Sequence, residues 1–319
     1  MCCFAQPVDS VSDTKIFARL LEGGWQYLVY QMSFKSPTAN AMVLPLPVQL
    51  PATDDQTLEF ISLKDYEDFF SDLDQGFPSE YKGFPPPAAE VDSAAAGALT
   101  LEVHEVGDFV ASFVPSIADF TRLDEQFRIP KESWDQIPGY GNYGFAVFQL
   151  KSLAGTPHPM AFKFRSRLGS GGDRQIFFPT VHIHDGEVHQ REEFDHTLYL
   201  QAPEFDAACG RYNATPQPRP DATTKHVRSK WPAKEFCNID KSLGIVDAEG
   251  LVHRLGMHGQ LANTDVLASL SLPAASQGLW YLPAGAGAVA GIAGVVGLKW
   301  FFDRRDKVAR ETNRADKAK

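Results

Sequence analysis

Ile176, Phe178, Thr180, His182 and His184 alternate with Phe177, Pro179, Val181 and Ile183, a period of two that predicts an extended strand with both imidazoles on one face. Strand patterns of this kind fill the first two hundred residues. Lys15 to Leu21 and Trp25 to Phe34 flank Gly23-Gly24, whose freedom to take positive φ predicts a tight hairpin. Ala41 to Leu50 is a third extended segment, and Pro45 and Pro47, which lack N–H donors, place it at a sheet edge. Leu99 to Glu105, Phe109 to Val114, Tyr143 to Lys151 and Met160 to Phe164 complete the set, and Gly169 to Asp173 reads as a hairpin turn.

Helical patterns are few. Leu63, Tyr66, Phe69, Phe70 and Leu73 recur at helical spacing behind Ser62, a good N-cap, and a second short helix is expected near Ser116 to Phe127. Phe84 to Ala98 reads as a Pro/Ala-rich connector, 201 to 245 as irregular surface, and Ser242 to Leu270 as weakly patterned. The fold class that follows is α+β, a mainly antiparallel β domain with a few short helices. Its extent is 1–270, followed by a linker, 271–277.

The linker leads into 278–302, read as one C-terminal transmembrane helix, and a basic tail, 303–319. Gly278 to Leu298 carries no charge over a length that crosses a bilayer core of about 30 Å, with Trp280, Tyr281 and Trp300 at the interfaces. Gly287 and Gly291 have the spacing of close helix pairs, so self-association through this segment is an expectation. Lys and Arg follow the span and are absent from the twenty residues before it, which places the tail in the cytoplasm and the domain outside. No signal sequence opens the chain as it stands, and the side of the membrane stays open.

The net charge of −10, with no basic stripe before the C-terminus, argues against nucleic acid as a partner. The four cysteines show no CxxC spacing, which excludes a zinc ribbon or thioredoxin motif; Cys209 and Cys237 are read either as a disulfide or as two buried thiols. There is no P-loop, GxGxxG, GxSxG or HExxH.

Two features carry chemistry. Four of the nine histidines fall between His182 and His196, interleaved with carboxylates. Neutral imidazole is a common ligand for zinc, copper and iron, so His182 and His184, completed from Glu187, His189, Asp195 or His196, form a candidate transition-metal site. His104, His158, His226, His253 and His258 read as isolated surface residues. The other feature is Met1-Cys2-Cys3. Removal of Met1 exposes Cys2 as an N-terminal thiol with its own amine as base, the logic of an N-terminal cysteine hydrolase; the same groups also suit a metal, together with the histidine strand. A third reading, a non-catalytic interaction domain at the membrane, needs neither.

The opening CCFAQPVDSVSDTKIFARLLEGGWQYLVYQMSFKSPTANAMVLPLPV resembles the bacterial domain-of-unknown-function family 2330, in which a cysteine-containing start leads into an "IIFA" hairpin and an "FAWVVPVP" strand. Ile16-Phe17-Ala18 and Ala41 to Val48 carry the match, over about the first fifty residues. The resemblance implies a bacterial protein with a β-rich domain, a C-terminal hydrophobic segment and a basic tail. It implies no activity and no catalytic residue. Many members carry a signal peptide, which this chain lacks.

Overall fold

The computed structural model describes residues 2–52, 57–77, 104–137, 139–207, 210–211 and 226–270. The connector at 84–98 and everything from 271 onward, including the expected membrane segment, lie outside them. Among the described residues no helix is long and apolar enough to cross a membrane.

Seventeen strands are described: β1 Cys2–Phe4, β2 Ser10–Leu20, β3 Trp25–Lys35, β4 Ala41–Leu46, β5 Leu58–Ser62, β6 His104–Val106, β7 Phe109–Val114, β8 Gly144–Leu150, β9 Ala154–Gly155, β10 Met160–Arg165, β11 Gln175–Phe178, β12 His182–Ile183, β13 Arg191–Gln201, β14 Gly210–Arg211, β15 His226–Arg228, β16 His253–Ala262 and β17 Val266–Ser269. Two short α-helices accompany them, α1 Phe69–Gln75 and α2 Lys131–Asp135. The fold is mainly β with short helices. A six-stranded sheet runs β12-β1-β4-β8-β7-β6, and a nine-stranded sheet runs β14-β15-β16-β13-β2-β3-β10-β5 with β9 on β3. Most pairs are antiparallel, but β1–β12, β2–β13 and β14–β15 are parallel.

Side-chain alternation shows how the layers stack. Ile16, Ala18, Leu28, Tyr30, Phe162, Leu198 and Leu200 enter one buried cluster, shared with β4, β7 and β8. The intervening Phe17, Val29, Ala161 and Tyr199 enter a second cluster, shared with α1 and with Ala233, Ile245 and Val246. The centre of the larger sheet is therefore covered on both faces, by the smaller sheet on one side and by α1 with the 229–252 segment on the other.

The Gly23-Gly24 hairpin forms as expected, with β2 and β3 antiparallel and Gly23 at φ 74°. Other expectations are corrected. β4 lies inside its sheet, between β1 and β8, and is not an edge. It tolerates Pro45 because β1 pairs it only through Met42 and Val43, so the ladder on that side has ended before the proline. Ser62 ends β5 and caps no helix; α1 begins at Phe69, although Leu63 and Tyr66 are buried in the same cluster as its apolar face. Ser116 opens 3₁₀ turns, Ile117–Arg122 and Glu125–Phe127, and no α-helix. The glycines at 169–172 join no hairpin, since β10 pairs with β3 and β5 while β11 pairs with β17. The weakly patterned C-terminal stretch contains β16, a ten-residue strand paired along most of β13. Cys237 is a free, buried thiol.

Candidate functional site

The expected strand through the histidines is interrupted. β11 stops at Phe178 and β12 is only His182–Ile183. The backbone between them is bonded to side chains instead of to a neighbouring strand. Asp265 Oδ1 accepts from the N–H groups of Thr180 at 2.8 Å and Val181 at 3.2 Å. Asn263 then clamps His182 on both sides, its Oδ1 accepting from the His182 N–H at 2.6 Å and its Nδ2 donating to the His182 carbonyl at 3.0 Å. Both residues sit between β16 and β17. No sequence motif marks them, because their role depends on a contact some eighty residues away.

This arrangement sends the His182 side chain into the interior. On β13 the alternating Phe194, His196, Leu198 and Leu200 are all buried, and Phe194, Leu198 and Leu200 belong to the cluster between the sheets. His196 follows the same face. His182 Nε2 and His196 Nε2 lie 3.0 Å apart, with both residues 1% exposed. The His184 ring stacks on His182 at 4.7 Å between centroids, and Phe194 stacks on it at 4.4 Å. His182 Nδ1 and His184 Nε2 are buried without a hydrogen-bond partner.

Burial is the main reason that all three imidazoles are held below the ordinary histidine range, and neighbouring positive groups add to it. His184 is pushed down to about 4, and His182 and His196 further. The cluster is therefore neutral at pH 7, the form in which imidazole binds metals.

The structure thus brings His182, His184 and His196 together and leaves the other candidates outside. Glu187 is exposed in a turn where its N–H donates to Asp185 Oδ1 at 3.0 Å. His189 is exposed and pairs with Asp185 Oδ2 at 2.9 Å, which raises the imidazole above its ordinary value. Asp195 points away from the interior and accepts from the Asp13 N–H at 2.6 Å; its Oδ1 lies 3.5 Å from His196 Nδ1. Cys2 comes to the site through its backbone: β1 is parallel to β12, with Cys2 in register with His182 and Cys3 with Ile183. Among the described residues no group of three or more His, Cys, Asp or Glu side chains is arranged to hold a metal ion, and the Cys2 side chain is not among those residues.

Two histidines read as surface are buried. His158 is 4% exposed and packs on Phe109 at 4.6 Å. His253 is fully buried, its Nε2 2.8 Å from Asp206 Oδ1. His104 and His258 are exposed, as expected.

No family model matches the chain. Solved structures similar to it include baculovirus P35, at TM-score 0.40 and 11% identity over 81% of this chain and 96% of that one. A caspase-8/P35 complex is similar at TM-score 0.40 and 11% identity, over 80% of this chain and 95% of that one. A mutated baculovirus P35 after caspase cleavage gives TM-score 0.36 and 13% identity, over 82% and 98%. These likenesses are too loose to assign a fold family or an activity.

Proposed function

We propose that this chain is a transition-metal-binding protein whose ion sits between the histidine strand β12, on the smaller sheet, and β13, on the larger. His182 and His196 are the primary ligands, and His184 stands beside them. One observation carries this reading, the approach of two buried Nε2 atoms to 3.0 Å. Two nitrogens bound to one ion at about 2.0–2.1 Å are separated by roughly 2.9–3.4 Å, so the spacing suits shared ligation as well as a hydrogen bond. The buried, unpartnered Nε2 of His184 supports it, because an interior polar atom without a partner is costly in a purely structural role. Zinc, copper and iron all suit imidazole ligands.

The test is elemental mass spectrometry of the full chain, purified in mild detergent, beside His182→Ala and His196→Ala. About one equivalent in the wild type, lost in either histidine variant, is the expected result. Wild-type protein free of metal after growth in supplemented medium rejects the proposal.

A second reading rests on Cys2, whose backbone lies in register with His182. In a mature chain beginning at Cys2 the thiol has its own α-amine as base, the logic of an N-terminal cysteine hydrolase. A mature chain beginning at Cys2, labelled by a thiol-directed acyl probe in a Cys2-dependent manner, would favour this over the metal. Failure of both tests leaves an interaction domain. For location we propose a single C-terminal membrane tether, supported by the charge-free run from Gly278 to Leu298 and the basic residues after it.

A further inference from the structure

We infer that His226 and His253 form a second metal site, separate from the His182 cluster, for a borderline dication such as zinc, cobalt or copper, with Asp206 as the positioning residue. β15 and β16 are antiparallel, with His226 in register with Leu255 and Arg228 with His253. His226 and His253 are therefore diagonal neighbours, a placement within reach of long side chains. Their ring centroids lie 5.3 Å apart at 56°. A metal bonded at about 2.0–2.1 Å lies roughly 3.2 Å from an imidazole centroid, so two rings on one tetrahedral ion have centroids roughly 5.2 Å apart. The observed 5.3 Å matches this spacing.

The tautomer also fits. Asp206 Oδ1 lies 2.8 Å from His253 Nε2, so the carboxylate holds the ring proton there and leaves Nδ1 a bare lone pair. Nδ1 is buried without a hydrogen-bond partner on a fully buried residue. A carboxylate that fixes the far nitrogen of a ligating histidine is the usual outer partner in metal sites. The Phe205 ring packs edge-on against both imidazoles, at 5.9 Å and 6.0 Å, and limits their rotation. Burial keeps both rings neutral, with His226 lowered to about 3 and His253 to about 4. Arg228, beside His253, opposes a cation, and the Asp206 carboxylate offsets it. Two protein ligands leave positions for water, so binding is weaker than at a closed four-ligand site.

A cobalt titration of the full chain, followed by visible absorption with zinc competition for affinity, tests this. In His182→Ala, which lacks the first site, a cobalt signal is expected that disappears when His226→Ala is added and whose affinity weakens 10–100-fold when Asp206→Asn is added. His226 is only partly buried and its variant keeps Val227, the apolar anchor of β15; circular dichroism checks the fold, and His226→Gln is the second variant. A signal unchanged when His226→Ala or His226→Gln is added, with the fold intact, overturns the inference. So does a signal lost in His182→Ala, or none at millimolar cobalt. Persistence in His182→Ala separates this site from the first.

Discussion

Nε2 of His182, on the smaller sheet, faces Nε2 of His196, on the larger, at 3.0 Å. One nitrogen must be bare for the other to donate, so the contact fails once both rings carry a second proton. Five imidazoles, those of His182, His184, His196, His226 and His253, are held below the usual value of 6.5, with burial the largest cause in each. Below that pH the unfolded chain takes up protons that the folded chain refuses. Their stabilisation is complete above about pH 6.5 and is lost as the pH falls, down to about 4 for His184 and His253. Each group contributes at most about 1.4 kcal/mol per pH unit, so half of them removes roughly 3 kcal/mol per unit from a domain stable by about 5–15 kcal/mol. Thermal melting from pH 7 to pH 4 should show a steep fall, with unfolding at room temperature near the acid end. A melting temperature unchanged between pH 7 and pH 5 would rule out the buried neutral cluster.

How much of this was legible in the sequence follows from the range of the interactions involved. The β2–β3 hairpin and the strand at Phe109–Val114 depend on residues a few positions apart, and local alternation located them. His182 and His196 were readable as candidates because both lie in one short histidine-rich segment. That they meet and that Glu187 and His189 do not was not readable. The choice is made by Asn263 and Asp265, which end the strand by taking its backbone donors. β16 was missed for a related reason: Gly256 and Gly259 dilute its alternation, and its pairing with β13 supplies what local pattern lacks.

Gly107 lies over the His158 ring. A Cβ there would fall 2.1 Å from His158 Nε2, and Gly107 has φ +54°. His158 is fixed in place, its Nε2 3.1 Å from the Val106 carbonyl and its ring against Phe109. Gly107→Ala should cost about 2–4 kcal/mol, combining the left-handed backbone with overpacking. In a double-mutant cycle His158→Ala should recover at least about 1 kcal/mol of that loss, because it removes the collision and leaves the backbone term. Additive denaturation energies would show that the ring is not what excludes the side chain.

Tyr140 donates to Asp265 Oδ2 at 2.5 Å, and that carboxylate is fully enclosed. Burial raises it to about 6, against the hydrogen bonds that lower it. The sign is opposite to that of the histidines. Between about pH 4 and pH 6 the folded state keeps a proton that the unfolded state releases, so this stabilisation is lost as the pH rises through about 6. One aspartate partly offsets five imidazoles over that window. Asp265→Asn removes the offset, and acid destabilisation between pH 4 and pH 6 should steepen by up to about 1.4 kcal/mol per pH unit. Parallel stability curves for variant and wild type would mean that Asp265 does not titrate there.

Phe4 ties the N-terminal strand to the histidine site. It is 2% exposed, stacks on Phe34 at 6.2 Å and meets the His184 ring edge-on at 6.3 Å. Phe4→Ala should cost about 3–5 kcal/mol, as expected for a large aromatic removed from a close-packed core. The more specific effect is on His184. Its imidazole is lowered to about 4 chiefly because it is shielded from water, and Phe4 forms part of that shield. With the ring removed, water reaches the imidazole and its titration should move up toward the usual value near 6.5. Nitrogen-15 NMR of the histidine side chains resolves this, by comparing the His184 titration in Phe4→Ala with the wild type at pH values where both remain folded. A His184 ring that stays neutral over the whole pH range in which the variant is folded would place the shielding elsewhere, and β1 would then support the sheet without shaping the site.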